Sequence, residues 1–134
     1  MSISAAKFSK RGKKFYQGSK THYEWCHLVG DSLGGDTTGT NLVAGSYGCN
    51  TYMATIEKLL IGKTELVIKV TALCNNEHVA EFIRYEIWPL GKSKATHLKS
   101  FMIDAANFYF TTADMVEVQN DLIIWLKSVG VKTT

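Results

Sequence analysis

Eleven consecutive residues, Gly30 to Thr40, restrict this chain more than any other stretch. The run GDSLGGDTTGT holds four glycines, two aspartates and three threonines. That is turn chemistry, and neither a helix nor a strand is expected to pass through it. The flanks are different. Residues 23–28, YEWCHL, alternate and carry aromatics, as a strand does. Leu42 to Ala44 reads as a second, short strand. From about Gly48 the period becomes helical, with Tyr52, Ile56, Leu59 and Leu60 at i, i+4, i+7 and i+8. Gly62 is placed to end that helix at C′. The order is strand, long loop, strand, helix.

The remainder reads as a meander followed by a helix. Strands are predicted over 65–73, 78–88 and about 97–103, with Asn75-Asn76 and Pro89-Leu90-Gly91 as the turns. A last helix begins after Thr111 or Thr112. It carries Met115, Val118, Leu122, Trp125, Leu126 and Val129 on one face and stops at Gly130. The expected fold class is α+β: an antiparallel sheet, a packed C-terminal helix and the early strand–loop–strand–helix unit. At 134 residues and 46% hydrophobic, the chain has material for one core. Residues 1–22 read as an arm, with a short helix around Ala5 to Phe8, and 23–134 as a single domain.

Several classes are disfavoured. No apolar run approaches the roughly 18 residues of a membrane span. No apolar core of a cleaved secretory leader is visible near Met1. The three cysteines, Cys26, Cys49 and Cys74, form no CxxC pair and are odd in number. Neither a structural zinc site nor a disulfide framework is expected from them. They read as small buried hydrophobes acting in a reducing compartment. Trp25, Trp88 and Trp125 read as core.

Charge is unevenly placed. Residues 1–20 hold Lys7, Lys10, Arg11, Lys13, Lys14 and Lys20 with no acid, so this arm carries +6 and the other 114 residues carry −3. Such an arm suits a phosphate backbone, because each neutralised phosphate releases counterions. A solvated terminus is the other reading of the same residues.

Four positions could combine chemically. His27 precedes the glycine-rich run; Asn41, Asn50 and Glu57 follow at spacings of 14, 9 and 7. Asn50 and Glu57 are two helical turns apart and share a face. If the two strands pair and the helix crosses them, an imidazole, an amide oxygen and a carboxylate can converge. Phosphodiester hydrolysis needs such groups. Histidine ordinarily titrates near neutrality and can deprotonate water. Mg²⁺ takes oxygen ligands, keeps several waters and asks for few protein groups.

The stretches HLVGDSLGG and NLVAGSYGCN, followed by an acid on the helix, resemble the ββα-metal (His-Me finger) nucleases, in their DNA/RNA non-specific endonuclease branch. The resemblance covers 34 of the 134 residues, Glu24 to Glu57, and implies a ββα-metal finger at 23–60 packed on the antiparallel sheet. It makes His27 the general base and Asn41 the brace of the connecting loop. It makes Asn50 the ligand of a catalytic Mg²⁺ or Mn²⁺, with Glu57 supporting the metal or its waters. Lys10, Arg11, Lys13, Lys14 and Lys20 would grip DNA, or RNA, without reading bases. The pattern is similar to nuclease domains of bacterial polymorphic toxins. That implies a monomer delivered without a cleaved leader into the cytoplasm of a target cell and neutralised by a cognate immunity protein. The family pattern Asp-Arg-Gly-His reads Glu24-Trp25-Cys26-His27 here. Positive charge at the phosphate would then come from Lys20, Arg11 or another residue of the arm, from Arg84, or from the metal alone.

Other assignments compete. Asn50 is also suited to cap the helix. Glu57 could pair with Lys58 or Lys63. Asp31 and Asp36 lack EF-hand spacing. Cys26 and His27 are strand neighbours and point apart, against a thiol mechanism. His22 is a second candidate base, whereas His78 and His97 read as surface or strand histidines. The rival from another class is a nucleic-acid- or protein-binding module that keeps the fold without turnover.

Overall fold

The computed structural model describes residues 23–29, 41–74, 79–107 and 109–133. Strands β1 (Tyr23–His27) and β2 (Leu42–Ser46) lead directly into helix α1 (Tyr47–Leu60). Strands β3 (Leu66–Cys74) and β4 (Ala80–Pro89), the short helix α2 (Lys94–His97) and strand β5 (Lys99–Asp104) follow. Helix α3 (Thr112–Ser128) closes the order. The chain is thus α+β, with antiparallel sheets and a C-terminal helix. The arm at 1–22, its short helix at 5–8, the glycine-rich run and the Asn75-Asn76 turn lie outside the described residues. Among the described residues no helix is long and apolar enough to cross a membrane.

β1 and β2 form an antiparallel ribbon in which His27 pairs with Leu42 and Tyr23 with Ser46. β3, β4 and β5 form a separate antiparallel meander. The two sheets touch where Ala44 makes a parallel bridge to Val79. A second tie runs from Ser46 N–H to Ala105 O, 2.7 Å away.

Period-two alternation gives the meander two different faces. One face carries the rows Ile68–Ile87, Val70–Tyr85–Phe101 and Ala72–Ile83–Ile103. It packs into the core with Cys49, Met53, Ile56 and Leu60 of α1 and Val118, Leu122 and Leu126 of α3. The other face carries Lys69–Glu86–Ser100 and Thr71–Arg84–Met102. There Glu86 pairs with Lys94 at 2.9 Å, and Lys94 lies 4.9 Å above the Trp88 ring. Trp88 is therefore on the outward face beneath a lysine, half-buried rather than in the core.

The helices end as their sequences dictate. α3 opens with a capping box in which Thr111 and Asp114 satisfy each other's backbone N–H groups. Gly62 and Gly130 follow the C-caps of α1 and α3 with φ of 76° and 79°. This left-handed conformation is cheap only without a Cβ. The predicted third strand starts two residues late because 94–97 form α2. Its turn is held by Ser93 O, which accepts from Thr96 and His97 N–H. Four residues are too few to show a helical period.

Candidate active site

α1 is positioned by its cap. Ser46 is fully buried, and its Oγ accepts from Cys49 N–H at 3.0 Å while donating to Asn107 O. The capping role thus belongs to Ser46, one turn before Asn50. Asn50 is half-buried in the first turn, and Glu57 is half-buried two turns on. Each directly follows a residue of the buried stripe, Cys49 and Ile56 respectively. Both therefore flank the helix face that meets the core.

His27 ends β1 and is half-buried. Its Nε2 is buried without a hydrogen-bond partner among the described residues. The β1 side chain seated toward α1 is its neighbour Cys26. A Cβ on Gly45 would lie 3.0 Å from Cys26 Sγ and 3.8 Å from Cys49 Sγ. Cys26 and Cys49 are fully buried and form no disulfide among the described residues, as small hydrophobes should be. Cys74 is instead exposed at the end of β3, and partial burial raises its pKa.

Asn41 holds the chain just beyond His27. Its Oδ1 accepts from Val29 N–H at 2.9 Å, and its Nδ2 donates to Val29 O at 3.0 Å. Its backbone O also accepts from Leu28 N–H at 2.9 Å. A carboxamide has one acceptor and one donor at matched spacing, so it pairs with both polar groups of a single residue. The backbone two residues after His27 is thereby fixed to the start of β2.

A residue that sequence reasoning passed over lies in the core with Cys26 and Cys49. Tyr85, on the inner face of β4, is 1% exposed, and its hydroxyl has no hydrogen-bond partner among the described residues. Its pKa is pushed up strongly, first by burial and then by the negative charge of Glu57, with Cys49 and Cys26 contributing less. The signal was a hydroxyl among alternating apolar residues, Ile83, Tyr85 and Ile87. Only the strand pairing reveals that this phase faces the core.

The remaining candidates are dispersed. Arg84 lies on the outward face, its Nε 3.8 Å from Glu86 Oε1. It points away from Tyr85 and belongs to the Glu86–Lys94 group, so it is no replacement for the family's arginine at this site. His97 is on α2, with Nδ1 2.8 Å from Thr96 Oγ1. Lys10, Arg11, Lys13, Lys14, Lys20, His22, Asp31, Asp36 and His78 lie outside the described residues.

Among the described residues no three His, Cys, Asp or Glu side chains are gathered for a metal. Asn50 and Glu57 offer an amide oxygen and a carboxylate. Such a donor pair suits a hard cation that keeps most of its own waters. A cleft of about 560 Å³ opens between α1, β5 and α3, lined by Tyr52, Phe110, Asp114, Glu117 and Asp121 among others. Burial, followed by those three carboxylates, raises the Tyr52 pKa. Acidic walls repel phosphate, and the cleft includes none of His27, Asn41, Asn50 or Glu57. No family model, no curated protein and no solved structure matches this chain.

Proposed function

We propose that this chain is a divalent-metal-dependent nuclease built on a ββα-metal finger spanning 23–60. The observation that carries the reading is the Asn41 carboxamide closed on both backbone groups of Val29. It braces the chain beside the one histidine that ends β1, and α1 follows the ribbon without a break. His27 Nε2, buried and without a hydrogen-bond partner among the described residues, adds support, since such an atom calls for a catalytic role or a bound water or ion.

In this reading His27 takes a proton from water, whose oxygen attacks phosphorus in line while the 3′-oxygen departs. Asn41 keeps the strand end from shifting as the proton moves. Asn50 and Glu57 hold Mg²⁺ or Mn²⁺, which when bound supplies charge stabilisation at the phosphate and the leaving oxygen. Lys10, Arg11, Lys13, Lys14 and Lys20 grip the DNA or RNA backbone without sequence preference. The same resemblance makes the chain a toxin domain delivered into the cytoplasm of a competing cell, with a dedicated immunity protein as partner.

Purified protein should nick plasmid DNA with Mg²⁺ and stop on addition of EDTA. His27→Ala should abolish cleavage while keeping the wild-type melting temperature within a few degrees. Cleavage that persists in EDTA, or near-full activity of His27→Ala, would overturn the reading. Parallel digestion of total RNA decides between the substrates. The second reading, a binding module without turnover, is favoured by Cys26 and Trp25 standing where the family has glycine and arginine, and by the outward position of Arg84. A protein that shifts DNA but never nicks it would establish that alternative.

A further inference from the structure

The cleft between α1, β5 and α3 joins two kinds of surface. Part of its lining is apolar. The Tyr52 and Phe110 rings lie with centroids 4.6 Å apart and planes 39° from parallel, and Ile124 is 69% exposed. The α3 side is acidic, because Asp114, Glu117 and Asp121 follow at spacings of three and four and share one helix face. Lys99 pairs with Asp121, so three carboxylates less one lysine leave this side at −2. Aromatic faces beside carboxylates suit one chemistry. The stem of a lysine or arginine lies on the rings while its charged head meets an acid. A volume of about 560 Å³ has room for more than one such side chain.

The sequence holds a matching segment close by. Residues 1–20 carry six cations and no acid. They join the described chain at Tyr23, which pairs with Ser46 across the β1–β2 ribbon. The Ser46 hydroxyl donates to Asn107 O, and Asn107 lines the cleft. The arm therefore leaves the fold beside the cleft, and Lys20, three residues before Tyr23, is within about 10 Å of chain from that point. Exposed ion pairs are individually weak, but a tethered segment meets its site at an effective concentration on the order of millimolar.

We infer that the basic arm, residues 1–20, docks in cis in the cleft between α1, β5 and α3, so that a phosphate backbone must compete with Asp114, Glu117 and Asp121 for the arm's lysines. The inference goes beyond the nuclease reading and needs neither its base nor its metal. It makes the cleft a brake on nucleic-acid binding. Non-specific contacts form only where the phosphate density is high enough to draw the arm out.

The test uses the full chain with Cys74→Ser, which removes the exposed thiol, and Ser9→Cys carrying a nitroxide within the arm. Backbone amide signals are followed by heteronuclear NMR at low salt, without nucleic acid. The signals of Tyr52, Phe110 and Glu117 should be broadened to loss. Those of β3, at the opposite edge of the meander from β5, should stay near full intensity. About 1 M salt should restore the cleft signals, because it screens charges beyond roughly 3 Å. Glu117→Lys reverses one exposed charge and should also restore them, with a wild-type melting temperature; Glu117→Gln should act in the same direction to a smaller extent. A saturating DNA duplex should displace the arm as salt does. Equal broadening of the cleft and β3, or cleft broadening unchanged by salt and by both Glu117 variants, would overturn the docking. Broadening of nitroxide-free, isotope-labelled protein by an equal amount of nitroxide-labelled protein would place the arm on a second copy and overturn docking in cis. Cleft broadening that survives the duplex would overturn the competition. Cleavage plays no part in these readouts, so failure of the docking and failure of the nuclease reading are separate results.

Discussion

Replacing Asn41 by alanine tests the brace directly. The substitution removes the Oδ1 bond to Val29 N–H and the Nδ2 bond to Val29 O, at 2.9 and 3.0 Å. It leaves the backbone bond from Leu28 N–H to Asn41 O in place. Each lost bond is worth about 1 kcal/mol net, and both are partly buried, so water only partly replaces them. The expected loss is about 2 kcal/mol, or roughly 5–10 °C for a domain of this size. Asn41→Asp separates hydrogen bonding from volume. At neutral pH its carboxylate keeps the acceptor but sets a second oxygen against Val29 O, where a donor stood. It should be no more stable than Asn41→Ala at pH 7, and should regain stability once acid protonates it and restores a donor. Thermal melting by circular dichroism from pH 3 to 8 reads both effects. Nuclease activity should fall further than the folded fraction does, because a displacement near 1 Å at a reacting group can cost about 100-fold. Asn41→Ala melting within 2 °C of wild type, or Asn41→Asp matching wild type at pH 7, would refute the argument.

Two further outcomes follow from other contacts. Gly45→Ala would place a Cβ 3.0 Å from the sulfur of fully buried Cys26. It should cost about 1–3 kcal/mol by overpacking, read as a lower urea midpoint, and adding Cys26→Ala should recover part of that loss. The Glu86 carboxyl is held below its ordinary value of 4.5, chiefly by the hydrogen bond from Lys94; burial opposes this, and the charges of Lys94, Arg84 and Lys69 add to the lowering. A depressed carboxyl pKa gives stability that is complete above the ordinary value and lost as pH falls through the folded one. Lys94→Met should therefore melt below wild type at pH 7, and the two melting curves should converge under acid; a gap that persists at pH 2 would exclude the pair as its source.

What the sequence disclosed was local. The glycine-rich run separated β1 from β2, the 3.6 period revealed α1 and α3, and Gly62 and Gly130 marked their ends through a conformation that other residues adopt only with strain. Asn41 stood out by its spacing from His27, and its side chain bonds both backbone groups of Val29. The rest depends on contacts between distant parts of the chain. Which phase of β4 faces inward follows from its pairing with β3 and β5, so Tyr85 and Arg84 could not be assigned to opposite faces beforehand. Ser46 takes the cap of α1 because its oxygen is also claimed by Asn107, 61 positions away. Cys74 is exposed because it ends a strand at an irregularity in the register.

Ser46 explains how residues far apart in sequence come to share one neighbourhood. Its N–H bonds to Ala105 O, its hydroxyl donates to Asn107 O, and the same oxygen accepts from Cys49 N–H. One buried residue thus joins the end of β2, the start of α1 and the segment after β5. That junction sets the height and rotation of α1 over the meander, and Asn50 and Glu57 move with the helix as a rigid pair. Tyr85 is fixed to the same meander by its ladder bonds and by Phe101. The placement of α1 against the meander is therefore governed by Ser46 and the segment after β5. The imidazole is held through β1 and Asn41, and the helix donors through Ser46. The groups proposed to do the chemistry are thus positioned through two independent anchors on regular secondary structure.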